Sequence, residues 1–443
     1  MKDKAAGAAT LGRLRRQRGL SLSGLARALT AMASDLHQPA LPAVASVQRS
    51  VARWESARPA LPDERYQLLL AHVYARTPGG ETALGGGTDF AELLHALALL
   101  GESERRIAEI RTLVLGSATD HGGGILALLA PSVHVGLASS LDDPARADGA
   151  TVAALASVVA DVNQEVGSLP MVRLQVLLAP VVEAVRRLLA GPLPEPLVAP
   201  LREVAVAGMT LAGRLAFETR DDSASRALYT EATQEASRLA QPWRQANVHM
   251  SHALVTLYST GVAEARRLVD QAVRTARSGD SNFVRARAHA LQAELAARGG
   301  HERQARAALG LAWYDVEADH GGDPAPTGFS AGHLRGFEGV CELYVGDAEV
   351  AHARFERSAT TLSAPREQVQ RAIVTTDQAL ARIRLGDPRS AADLLHPCVA
   401  AASSTGGRVP ALRLRQARSE LRPWRREDWV ADLDDHLMDA LGT

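Results

Sequence analysis

The stretch "SVQRSVARWE" (residues 46–55) gathers Gln48, Arg49, Ser50 and Arg53 within two helical turns. A guanidinium donates two parallel hydrogen bonds to guanine O6 and N7, and a glutamine amide matches adenine N6 and N7. Arg13, Arg15, Arg16, Arg18, Arg27 and Arg58 flank this stretch in sequence. Arginines outside a recognition helix hold phosphates and fix register. The same residues also describe a solvated basic face, and the elements around them have to decide.

Chemistry of other kinds is thinly represented. "DHGGGILALL" (120–129) has glycines but no following lysine, which makes it a poor phosphate loop. "HMSH" (249–252) sets two histidines three apart with no third ligand evident, so ordinary helix residues are the expectation. There is no GxSxG, and neither Cys341 nor Cys398 has a plausible catalytic histidine partner in its sequence context. No catalytic residue, metal site or cofactor is expected.

The composition agrees. Apolar residues make up 46 % of 443, and aromatics only 4 %, in an alanine-rich chain that favours close-packed helices. Residues 1–80 hold twelve Lys/Arg against five Asp/Glu, a net of +7, while the whole chain is −1. A basic head on an acidic body points to a polyanionic partner for the head. The two cysteines read as small apolar fillers in a reducing cytosol. The long uncharged run 122–141 carries three consecutive glycines, Pro131 and His134, and reads as a buried helical hairpin rather than a membrane span. A cytoplasmic protein with no membrane partner is expected.

Four helices are expected between residues 10 and 75. Leu11 and Leu14 line the first, with Gly19 as its stop, and Ser21 caps the second. "SVQRSVARWESA" is the third, and "LPDERYQLLLAHVYA" the fourth. The glycine-rich 77–89 reads as a linker, 90–199 as a helical connector ending at "GPLPEPLVAP", and 200–443 as a repeat domain. In that last region five triplets of small residues share one spacing. They are Gly213/Ser225/Ala232, Ala253/Ala265/Ala272, Ala293/Ala305/Ala312, Gly339/Ala351/Ser358 and Ala379/Ala391/Cys398. An insertion at 318–331 accounts for the one longer interval. Small side chains at fixed intervals let two antiparallel helices, and then the next pair, approach closely.

Two resemblances follow. Residues 200–403 resemble the tetratricopeptide repeat in the spacing of these small residues. "LGRLRRQRGLSLSGLARAL" and "SVQRSVARWESARPALPDERYQLLLAHVY" resemble the lambdoid-repressor-like (XRE-type) helix-turn-helix domain, with 1–76 as that domain. The second resemblance implies that Val51 and Trp54 pack the recognition helix inward and that an acid such as Glu55 closes it. Two features depart from that family: Leu22 stands where a phosphate-binding glutamine is usual, and some sixteen residues (30–45) precede the recognition helix. The extra residues either extend the second helix and add a small wing or mark a head that no longer reads DNA.

The first resemblance implies an α-solenoid whose first helices line its inner surface. With the first small residue of each triplet taken as position 8, positions 2, 5, 9 and 12 face inward. That row contains Arg214, Phe217, Asn247, Met250, Arg287, Glu294 and His333, which together suit an extended peptide or small molecule. The alternative is a groove closed by helix packing. The expected protein is an all-α regulator that binds double-stranded DNA as a homodimer, as in the peptide-sensing tetratricopeptide regulators of Gram-positive bacteria. The rival is a protein-interaction scaffold with a head that does not bind DNA.

Overall fold

The computed structural model describes residues 3–441, apart from 37, 39–40, 78, 120–130, 260, 319–320, 326–328 and 365–366. The side chains of 116–119 and 131–135 are likewise not among those described. The fold is all-α: no β-strand forms among the described residues, and no described helix is long and apolar enough to cross a membrane. The expectations for 120–129 and for most of 122–141 lie outside the described residues. The chain divides into two units, 1–159 with 172–201, and 160–171 with 202–443.

The first unit opens with α1 (Lys4–Gln17), α2 (Leu22–Asp35), α3 (Val44–Trp54) and α4 (Glu64–Ala75). Gly19 takes φ +65°, a left-handed conformation that L side chains resist, directly after α1. Ser21 Oγ accepts the Gly24 N–H at 2.9 Å, and Asp63 accepts from Tyr66 at the start of α4. The second helix takes up the chain as far as Asp35, which leaves eight residues, 36–43, before α3. Of the sixteen residues 30–45, six thus extend α2 and two begin α3.

The glycine-rich stretch folds back on α4, with Ala83 N–H donating to the Ala75 carbonyl at 2.7 Å. It leads into α5 (Asp89–Leu100) and α6 (Glu104–Thr119). The helix α5 lies along α1 at Gly7, where a Cβ would come within 2.9 Å of the Ala96 carbonyl oxygen. One apolar core therefore runs from Leu11 and Leu14 through Leu29, Val51 and Trp54 to Phe90, Leu97 and Val114. α7 (Pro131–Asp142), α8 (Gly149–Gln164) and α9 (Met171–Ala190) follow.

The second unit is built of paired helices. α10 (Glu195–Glu218) leads to α11 (Asp222–Ala236), α12 (Pro242–Leu257) to α13 (Val262–Arg277), and α14 (Asn282–Arg298) to α15 (Glu302–Glu317). α16 (Ala331–Val345) leads to α17 (Ala348–Thr361), and α18 (Gln368–Arg384) to α19 (Pro388–Thr405). α20 (Arg408–Glu420) and α21 (Asp428–Leu441) close the unit. All fifteen small residues of the five triplets are buried. Within the insertion, Asp323 accepts the Phe283 N–H at 3.1 Å, and Phe329 is buried.

Size is matched across each pair, sixteen residues on from its first small residue. Tyr229 packs on Gly213 and Phe355 on Gly339, while Ala253, Ala293 and Ala379 correspond to Val269, Leu309 and Leu395. A Cβ on Gly339 would lie 2.6 Å from the Phe355 ring. Gly339→Ala is expected to cost about 1–3 kcal/mol by overpacking. Combining it with Phe355→Leu should recover at least about 1 kcal/mol relative to the sum of the single changes. Urea denaturation of the four proteins measures this, and additive effects would refute the size match.

Candidate functional site

The helix α3 carries two faces. Val47, Val51 and Trp54, spaced i, i+4, i+7, are buried, and the Trp54 ring meets Tyr66 at 5.0 Å. Trp54 therefore holds α3 in the core of the first unit. On the other face Arg49 and Arg53 are exposed one turn apart, with Gln48 and Ser50 half-buried between them. Arg49 Nη2 donates to Ser46 Oγ at 2.9 Å, and Ser50 Oγ to the Ser46 carbonyl at 3.4 Å.

The flanking arginines divide into two groups. Arg15 grips Glu55 with two bonds of 2.7 Å, Nε to Oε1 and Nη2 to Oε2, and gives Nη1 to the Leu20 carbonyl. Both side chains of the pair are only 11 % exposed. The hydrogen bond it donates to Glu55, against the opposing effect of burial, holds the Arg15 guanidinium above its ordinary range. Gly12 makes room for the carboxylate, since a Cβ there would lie 3.1 Å from Glu55 Oε2. Arg18 meets Asp89 at 2.6 Å, donates to the carbonyls of Val73 and Tyr74, and lies 4.7 Å over the Tyr74 ring. These two arginines tie α1 to α3, α4 and α5 and are not free to hold a phosphate. Arg13 is exposed but meets Glu92 at 2.8 Å. Arg16, Arg27 and Arg58 are exposed. Leu22 packs against the core.

In the second unit the expected inward row is only partly brought together. Arg287 Nη1 donates to Asn247 Oδ1 at 3.0 Å, both residues being half-buried, and Arg214 is exposed near them. Met250 lies fully within the apolar core. Phe217 is buried beneath the Arg408 guanidinium, 4.4 Å from it. His333 bonds to Ser330 and faces Glu367 at 3.9 Å. Glu294 is buried in an ion network, taking a 2.8 Å contact from Arg298.

That network has members the sequence did not mark. Arg413 on α20 reaches Asp377 on α18 at 2.5 and 2.6 Å, Tyr258 at the end of α12 at 2.7 Å, and Glu294 on α14 at 3.8 Å. The first helices of three pairs, α12, α14 and α18, thus meet α20 in one buried polar cluster. Its one sequence signal is an acid, Asp377, set inside an otherwise buried helix stretch. His252 lies flat on Tyr229 at 4.7 Å, and no group of three or more His, Cys, Asp or Glu gathers for a metal among the described residues. No family model matches the chain, and no curated protein or solved structure matches it either.

Removing the Glu55 charge leaves Arg15 withdrawn from water without its partner. Glu55→Gln is expected to lower stability by about 1–3 kcal/mol, whereas Arg13→Ala, at an exposed pair, should change it by less than about 1 kcal/mol. Chemical denaturation of both variants checks this, and equal effects would show that the Arg15–Glu55 pair carries no special weight.

Proposed function

We propose that the protein is a DNA-binding transcriptional regulator. Residues 1–76 act as an XRE-like helix-turn-helix head, and residues 200–443 as a tetratricopeptide-like α-solenoid that senses a ligand. The observation that carries this reading is the division of α3: an apolar face anchored by Val47, Val51 and Trp54, and an outward face bearing Arg49 and Arg53 one turn apart. A recognition helix needs that arrangement, because its anchored side fixes the angle at which the outer side meets the major groove. The net of +7 over residues 1–80 supports it. Gln48, Arg49, Ser50 and Arg53 read base edges, and Arg16, Arg27 and Arg58 hold phosphates. Arg15 instead holds the end of α3 through Glu55, and Arg18 ties α1 to α4 and α5. The eight residues between α2 and α3 leave a shorter connection than the sequence implied, which brings the head nearer to the family pattern.

The test is binding of the full chain to captured genomic fragments and to random duplex at two salt concentrations. Arg53→Ala is expected to cost about 1–3 kcal/mol on the specific site and to relax preference at one base pair. Arg16→Ala should weaken binding to all sequences alike and lower the salt slope by about one. Equal losses on specific and random DNA would defeat the role assignment. No salt-dependent binding at all would favour a protein-interaction scaffold.

One head offers one recognition helix, and such heads pair on half-sites about one helical turn apart. A homodimer on DNA is therefore expected. Sedimentation showing only monomer at micromolar concentration, with and without the captured fragment, would exclude it.

A further inference from the structure

Two arginines of the second unit, Arg214 and Arg287, stand near each other, and neither forms an ion pair with a carboxylate among the described residues. Arg287 is half-buried, and the partner of its Nη1 is a neutral amide, Asn247 Oδ1. Burial, and then the nearby charge of Arg214, push its guanidinium down to about 10. Other withdrawn arginines of this unit are treated differently. Arg285 meets Asp315, Arg298 meets Glu294, Arg408 meets Asp222 and Arg413 meets Asp377.

Hydroxyls accompany the two cations. Tyr229 Oη and Ser251 Oγ lie 2.9 Å apart, and the Tyr229 phenol feels the charges of Arg214 and Arg287 and, more weakly, that of Glu218, whose carboxylate accepts the Val409 N–H. The Tyr229 ring packs on Gly213, the residue before Arg214, and Ser251 stands one turn along α12 from Asn247. A cation taken out of water without a counter-charge is costly, and an anion that binds there removes the cost. The planar guanidinium fork favours a partner with two oxygens.

We propose that Arg214, Asn247 and Arg287, with the hydroxyls of Tyr229 and Ser251, form a binding site for an anionic group presenting two or more oxygens, the chemistry shared by a carboxylate and a phosphate. The proposal rests on reading the second unit as ligand-sensing, and it moves the site away from Phe217, Met250, Glu294 and His333. The anion sits against the first three helix pairs, where Arg214, Asn247 and Arg287 come from α10, α12 and α14 in turn.

The full-length protein is titrated with sodium phosphate and, separately, with sodium succinate, at constant ionic strength set by sodium chloride. A saturable rise in the unfolding midpoint of about 3 °C is expected with at least one of them at a tenfold excess over its Kd. A rise with phosphate alone assigns a phosphate group, and a rise with succinate alone assigns a carboxylate. Arg287→Met should abolish the rise, and Arg303→Gln, at an exposed arginine of α15, should keep it. Without any added anion, Arg287→Met should leave the midpoint unchanged or raise it, because it removes an unanswered cation. No response to either anion, an undiminished response in Arg287→Met, or a lower ligand-free midpoint in that variant overturns the site. DNA affinity of the unaltered protein is read in the same buffers. Anion binding with unchanged DNA affinity keeps the site and defeats the sensing role.

Discussion

The second unit depends on matching a small residue in one helix with a larger one in the next. Where the small residue is glycine its counterpart is aromatic, as in Gly213 with Tyr229 and Gly339 with Phe355. Where it is alanine the counterpart is aliphatic, as in Ala253 with Val269. Close-packed interiors tolerate neither a void nor an extra methylene, so the sum of the two volumes is constrained more tightly than either residue. The constant separation places equivalent residues of successive pairs side by side. Arg287 bonds to Asn247 across 40 residues, and Arg298 to Tyr344 across 46, the interval that contains the insertion.

Much of this was legible in the sequence, because it is written in periodicity. Val47, Val51 and Trp54 announce a helix face, Ser21 a cap, and the small-residue triplets a series of packed pairs. What stayed hidden was decided by residues far along the chain. Arg15 and Arg16 are neighbours of the same type, yet Glu55, 40 positions on, draws Arg15 inward while Arg16 stays in solvent. Arg18 is fixed by Asp89, 71 positions away. Met250 and Phe217 fell on the expected inner row, but Met250 is part of the apolar core and Phe217 is covered by Arg408 from α20. Helical spacing says which side of a helix a residue occupies and nothing about what arrives to cover it.

Arginine performs most of the long-range joining. The chain has 47 arginines and 2 lysines, and both lysines lie within the first four residues. A guanidinium satisfies several acceptors at once in a fixed plane, which an ammonium does less readily. Arg18 serves one carboxylate and two carbonyls from a single side chain, and Arg413 serves a carboxylate and a phenol. A buried charge so fully answered fixes one arrangement of helices, since any other leaves part of it unsatisfied.

The bonds from α20 to the first helix pair bear on how the second unit folds. The Val409 N–H donates to Glu218 across 191 residues, and Arg408 meets Asp222 across 186. Linear repeat arrays fold from any internal nucleus and fray from their ends, because each repeat touches only its neighbours. Here the two ends hold each other. The chain must close its longest loop before those contacts form, which raises contact order and slows the final step of folding. Once closed, neither end can fray without the other, and a set of stacked pairs gains the all-or-none melting of a compact domain.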